Sequence, residues 1–172
     1  MLALAATLLF TGCGVGTNDA TFGERQELAN ITPNLMVPAT RPASLIASFK
    51  RYCVEMPSDS AARTAQLRAT DYIPMGGWIN GFRSFVVADM RPMVILTEDG
   101  KRCAVRARAR TGQTSAISRE IARTWPAARQ ISPPRRYEAA WETSPGQAEV
   151  IGLLRHAGGP SQNEITLVLT RR

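Results

Sequence analysis

The residues best suited to chemistry are few: the chain has three cysteines, Cys13, Cys53 and Cys103, and one histidine, His156. Zinc and other transition-metal sites usually draw several ligands from Cys and His side chains. A cysteine nucleophile would need His156 as its base, because a thiol becomes reactive near neutral pH beside such a partner. This small set predicts no metal site, no cofactor and no catalytic residue, with a Cys–His nucleophile as the alternative.

The acidic and hydroxyl residues form no recognisable catalytic pattern either. The fourteen Asp and Glu residues are scattered along the chain, so a pair of carboxylates for glycosidic cleavage would have to be assembled by the fold. His156 could act with Ser161 or Asp71 in a hydrolytic triad, but the sequence lacks the GxSxG motif. We therefore expect a protein that is not an enzyme.

The N-terminus carries the most specific signal in the sequence. Residues 2–10, LALAATLLF, form an apolar run that is too short to span a bilayer but typical of a signal peptide. Thr11, Gly12 and Cys13 follow at once, and this arrangement resembles the lipobox of bacterial lipoproteins. The resemblance implies that residues 1–12 are removed by signal peptidase II and that Cys13 carries a diacylglycerol. Cleavage by ordinary signal peptidase between Gly12 and Ala20, or a chain that is not exported, are the alternatives.

The same resemblance implies a location and a compartment. In the lipoprotein family an Asp directly after the lipidated Cys favours the inner membrane, and this chain has Gly14 there. We therefore expect the periplasmic face of the outer membrane. There Cys53 and Cys103 would be exposed to oxidising conditions, which predicts a disulfide between them. Closing this loop of about 50 residues would stabilise the fold by roughly 4 kcal/mol.

The pattern along the chain predicts a short tether followed by one domain. Gly, Pro and polar residues dominate residues 13–41, which we interpret as a lipid-anchored tether or a loosely docked arm. Residues 42–172 are predicted to form a single α+β domain whose one sheet is mostly antiparallel. The predicted elements are two helices starting at Pro42 and Ser58, a hairpin of residues 93–97 and 102–110 around Asp99–Gly100, a helix capped by Thr114 or Ser115, and a C-terminal meander of residues 137–142, 148–156 and 164–170.

The basic residues are interpreted first as a solvated surface, with an anionic envelope partner as the functional alternative. The formal net charge is +7, and the alternation in the second hairpin strand predicts that Arg106, Arg108 and Arg110 share one face with Arg102. We interpret this first as an ordinary solvent-facing strand, and its arginine face is the best candidate contact surface. No run of basic residues exceeds two, so nucleic acid is not an expected partner.

These observations together predict a non-catalytic binding or accessory module of the cell envelope. Its expected partners are the membrane, through the lipid anchor, and an envelope protein or anionic envelope polymer. The alternative is an envelope hydrolase acting on peptidoglycan or lipid. A concave pocket around His156 or two carboxylates would favour the hydrolase, whereas a flat Arg106, Arg108 and Arg110 face would favour binding.

Overall fold

The computed structural model describes residues 20–144, 149–157 and 163–171. Within these ranges it contains five α-helices and one eight-stranded antiparallel sheet, which confirms the predicted α+β class. The helices are α1 (Phe22–Asn30), α2 (Pro33–Met36), α3 (Pro42–Phe49), α4 (Ser60–Arg68) and α5 (Gln113–Thr124). None of the described helices is long and apolar enough to cross a membrane.

The strands follow the predicted hairpin and meander, with one long-range pairing added. They are β1 (Ile73–Pro74), β2 (Phe82–Val86), β3 (Met93–Thr97), β4 (Arg102–Arg108), β5 (Arg129–Ile131), β6 (Ala139–Glu142), β7 (Glu149–Ala157) and β8 (Asn163–Arg171). Their order in the sheet is β1-β2-β3-β4-β8-β7-β6-β5. Pairing of β8 with β4 therefore joins the hairpin to the meander.

Helix α3 carries the predicted apolar stripe and continues into a π-helical turn, Lys50–Val54, ahead of Pro57. Cys53 in this turn forms a disulfide with Cys103 of β4, with the Cα atoms 5.3 Å apart. The predicted disulfide is thus confirmed. It ties the helical layer to the middle of the sheet.

Helices α3, α4 and α5 cover one side of the sheet, which we call the closed face. Alternate residues of each strand point to this side. Those of β3, β4, β8 and β7 are fully buried together with the apolar faces of the helices. The closed-face core includes Phe49, Ile117, Val94, Val105, Leu153 and Leu167.

The other side, the open face, is only partly covered. An N-terminal arm, residues 20–36, lies across its β1–β3 end, where Ile31 packs against Val86 and Met93. Its first helix starts with a capping box in which the side chain of Thr21 and that of Glu24 each accept a bond from the other residue's backbone N–H. Part of the segment predicted as a tether is therefore helical and packed. Residues 1–19, including the predicted signal peptide and Cys13, lie outside the described residues.

The starts of two helices differ from the predictions. Helix α4 is capped by Asp59, whose carboxylate accepts from the N–H of Ala62, and not by Ser58. Helix α5 begins at Gln113, directly after Gly112, and not at a Thr114 or Ser115 cap. The buried Gln113 side chain accepts from the Arg110 N–H and donates to the Thr40 carbonyl, a tertiary contact that a local capping pattern does not reveal. The short strands β1 and β5 were not predicted.

Candidate functional site

The open face contains a groove of about 300 Å³ between the start of β2 and the segment that precedes β6. Its floor is apolar and comes from four neighbouring strands. The floor residues are Ile95, Ala104, Val168 and Leu154. Phe82, whose surface is 44% exposed, closes one end, and Tyr137 closes the other. A ligand lying here would contact carbon atoms below and at both ends.

Small residues on the open face create this depth. Ile95, Ala104, Val168, Gly152 and Ala140 occupy one register row across five strands. Between Ile95 and Ala140 the row contains no large side chain. The groove is therefore deep at this part of the sheet. At Gly152 the Tyr137 ring lies directly on the backbone, because a Cβ added to that glycine would be 2.1 Å from Tyr137 Cε1. The absence of a side chain at Gly152 therefore allows the Tyr137 ring to pack on the sheet and form one wall of the groove.

The rim of the groove is positively charged. Arg102, Arg106, Arg136 and His156 line it, together with the hydroxyls of Thr97 and Thr166. No Asp or Glu is among the residues that line it. Arg106 already binds the Glu164 carboxylate at 3.5 Å and the Thr166 hydroxyl at 3.3 Å. Within the described ranges the guanidinium groups of Arg102 and Arg136 form no hydrogen bond or ion pair, although the charge of Arg102 also acts on the nearby Asp99 carboxylate. They therefore remain available to an anion.

The structure divides the predicted arginine face. Arg106 lines the groove, as Arg102 does, but the N-terminal arm reaches Arg108, which donates from Nη1 to Asn34 Oδ1 at 3.1 Å. Arg110 lies beyond the end of β4, next to the start of α5. Only part of the predicted face thus contributes to one surface. That surface is concave and not flat.

The residues considered for catalysis are not brought together. Cys53 and Cys103 are joined in the core, so neither is a free thiol for His156. Asp71 precedes β1, five strands away from His156 in β7, which corresponds to roughly 24 Å across the sheet. Ser161 lies outside the described residues. No cluster of three or more potential metal ligands occurs in the part of the chain that the structure describes.

Two buried arginines lie outside the groove and support the fold. Burial lowers the pKa of Arg63 to about 10, with the nearby Arg171 guanidinium contributing. The Arg63 guanidinium donates to the carbonyls of Pro57 and Cys53. These hydrogen bonds fix the segment that follows α3. Burial also lowers the pKa of Arg83, whose guanidinium lies over the Trp78 and Phe85 rings. Neither group faces the groove, so neither is a candidate for ligand binding.

Some groove residues were not predicted from the sequence. Arg136 and Tyr137 precede β6 in a loop that includes Pro133 and Pro134, and only the fold places this loop over β7. A local signal did exist, since Ala104, Gly152 and Ala140 are unusually small residues in strands. Such residues permit close approach of another group to a sheet.

We compared the chain with protein-family models, curated proteins and solved structures. None of the three comparisons found a match. The function is therefore inferred from the geometry of the groove and from the N-terminal signal.

Proposed function

We propose that this chain is an exported envelope protein, anchored by a lipid on Cys13, whose domain binds an anionic amphiphile in the open-face groove. One observation carries the binding role. The groove combines an apolar floor with three arginines and a histidine on its rim, and no carboxylate lines it. A ligand with a hydrocarbon part and a negative charge complements both features.

The setting of the rim favours anion binding. Guanidinium groups form charge-assisted, often bidentate hydrogen bonds with carboxylates and phosphates. Such bonds are stronger beside an apolar surface than in open water, because the local dielectric is lower. Arg102 and Arg136 flank the apolar floor. Arg102 also lies near the Asp99 carboxylate, whereas the Arg136 guanidinium has no ion-pair partner among the described residues.

The sequence supports the anchor and the compartment of the proposal. The apolar run of residues 2–10 followed by Thr11, Gly12 and Cys13 resembles a lipobox. The Cys53–Cys103 disulfide agrees with an oxidising compartment. Ala20 follows Cys13 by seven residues, which span at most about 25 Å. A lipid on Cys13 would therefore keep the domain near the membrane surface.

A hydrolase remains the second candidate, because His156 lies on the rim of a concave groove. A general base acts on a nucleophile within hydrogen-bond reach. Glu164 is the cross-strand partner of His156, but its carboxylate is paired with Arg106. No Ser among the described residues lines the groove, and the Cys that lines it, Cys103, is in the disulfide. The geometry therefore favours binding over hydrolysis.

The binding proposal can be tested with the fluorescent anionic amphiphile 8-anilinonaphthalene sulfonate. We expect the Arg102→Gln/Arg136→Gln variant to bind it at least tenfold more weakly, since a hydrogen bond to a charged group contributes about 1.5–3 kcal/mol. Arg119→Gln on the exposed side of α5 is the matched control. Equal affinity of the double variant and this control would reject the proposal.

The anchor and the enzyme alternative need separate measurements. Intact mass spectrometry of membrane-extracted protein should give a chain that starts at Cys13 and carries diacylglycerol. An unprocessed chain without lipid would reject the anchor. For the hydrolase, His156→Ala is compared with the parent protein on peptidoglycan and phospholipid substrates. Hydrolysis that depends on His156 would favour the enzyme.

A further inference from the structure

We infer that the groove holds one aliphatic chain of a free, single-chain anionic lipid, with the head group at the β7 end. This inference rests on the proposed function and narrows its ligand class. It depends on three properties of the groove: its volume, its direction across the sheet and the uneven distribution of its charges.

The volume fits one hydrocarbon chain. The groove encloses about 300 Å³. An apolar cavity of about 150 Å³ accommodates benzene, which has six carbons, so this groove has room for roughly twelve. A two-chain phospholipid carries far more carbon than this space admits. The volume therefore selects a single chain of medium length.

The direction of the groove fits an extended molecule. Its floor passes from Ile95 in β3 through Ala104 in β4 and Val168 in β8 to Leu154 in β7. These four strands are neighbours in the sheet, and three inter-strand spacings amount to roughly 14 Å. The floor is thus a strip that crosses the strands and not a round pocket. An aliphatic chain can lie along it and contact every floor residue.

The charges are distributed unevenly along this strip. The β3 end is formed by the apolar side chains of Phe82 and Ile95 and by Thr97, whose hydroxyl is already hydrogen-bonded to Asp99 and to the Arg102 backbone. The β7 end holds Arg136 and His156 beside the Tyr137 ring. Arg102 and Arg106 occupy β4, one on either side of Ala104. The tail of an amphiphile would therefore point to Phe82, and its carboxylate or phosphate to Arg136.

The direct test is a chain-length series measured by titration calorimetry, below the micelle concentration, on the full chain carrying Cys13→Ser. Alkyl carboxylates of six to sixteen carbons are compared. We expect affinity to rise about fourfold for each added methylene, and to level off near twelve carbons, where the groove is full. Dodecyl phosphate reports whether the head-group site also takes phosphate, and dodecyltrimethylammonium should bind at least tenfold more weakly.

A filling variant checks the position of the chain. Ala104→Leu adds carbon to the middle of the floor and should shift the plateau to shorter ligands by about three carbons. Ala122→Leu, on the exposed side of α5, should leave the plateau unchanged. The series on the unaltered groove remains informative if Ala104→Leu fails to fold.

The outcomes separate the two proposals. Affinity that is independent of chain length, or equal for the cationic dodecyl ligand, would overturn the single-chain inference. The proposed anion binding would still stand if Arg102→Gln/Arg136→Gln weakened binding of the sulfonate probe. Preferential binding to two-chain anionic phospholipid vesicles would likewise overturn the inference. If the parent protein bound no anionic ligand at all, both the single-chain inference and the proposed anion binding would be overturned.

Discussion

The two faces of the sheet differ in what covers them and in the side chains that they present. The closed face lies under three helices, carries the disulfide and buries large apolar residues. The open face has small residues, threonines and arginines, and its cover consists of the N-terminal arm and the Tyr137 loop. The difference indicates that the closed face supplies most of the stability, whereas the open face leaves a groove uncovered.

Strand β7 shows this division in two consecutive residues. Leu153 is completely buried on the closed face, whereas Leu154 is partly exposed and belongs to the groove floor. Because successive side chains of a strand point to opposite faces, identical residues here have different surroundings. Substitutions can therefore separate stability from binding.

The largest effect is expected from removal of the disulfide. Cys53→Ala/Cys103→Ala should lower the free energy of unfolding by roughly 4 kcal/mol, because the unfolded chain loses a cross-link that closes a 50-residue loop. Urea unfolding followed by circular dichroism measures the change. At low temperature, where the variant stays folded, sulfonate binding should equal that of the parent protein. A weakened affinity under those conditions would show that the two faces are coupled.

The two leucines of β7 provide a matched comparison. Leu153→Ala should cost about 3 kcal/mol, because it leaves a cavity in a fully packed core. Leu154→Ala should cost about 1 kcal/mol or less, yet weaken binding of dodecanoate several-fold. Both are measured by urea unfolding and titration calorimetry. Equal destabilisation by the two substitutions would contradict the assignment of stability to the closed face.

Gly152→Ala tests the aromatic wall of the groove. The added methyl group would overlap the Tyr137 ring, so the ring must move away from the sheet. We expect a loss of about 1 kcal/mol in unfolding free energy and a clearly weaker affinity for dodecanoate. Tyr137→Ala should reproduce the binding defect. Unchanged ligand affinity in both variants would remove Tyr137 from the site.

The smallest effect on stability is expected from protonation of Asp99, which lies in the hairpin turn between β3 and β4. The Thr97 hydroxyl donates to Asp99 Oδ1 at 2.6 Å and, with the Lys101 N–H, lowers the pKa of this carboxylate below its usual 3.8. A lowered pKa in the folded state stabilises the protein above pH 3.8, and this contribution is lost as the pH falls through the folded value. The stability difference between the parent protein and Asp99→Asn should therefore shrink between pH 6 and pH 2. Thermal unfolding of both proteins across this pH range measures the difference. A difference that stays constant would show that the Asp99 carboxylate does not contribute to stability.

The closed face was largely predictable from the sequence, because its signals are local. The spacing of apolar residues after Pro42 predicts α3, and Asp99–Gly100 between two apolar runs predicts the hairpin. Gly100 has a φ of +69° and packs so close to the Ser58 carbonyl that a side chain would clash. The disulfide was predicted because the lipoprotein resemblance implies an oxidising compartment and leaves Cys53 and Cys103 as the two remaining thiols.

The open face was less predictable, because its groove depends on tertiary contacts. The alternation that predicts a common face for Arg106 and Arg108 is correct, but Asn34 of the N-terminal arm contacts Arg108 from 74 residues away. Arg136 enters the site only because the fold places its loop over Gly152. The capping box at Thr21 and Glu24 was a readable signal for α1. The packing of Ile31, at the end of α1, on Val86 and Met93 had no such local signal.

The position of β8 determines how this sheet can assemble. β8 is the last of the eight strands along the chain, yet it lies between β4 and β7. Its register partners in β4 are far away, for example Arg106 and Thr166, which are 60 residues apart. Contacts of such separation form slowly, and β4 and β7 keep unpaired edges until β8 arrives. Self-association during production is therefore most probable in chains that have not yet inserted residues 163–171 into the sheet.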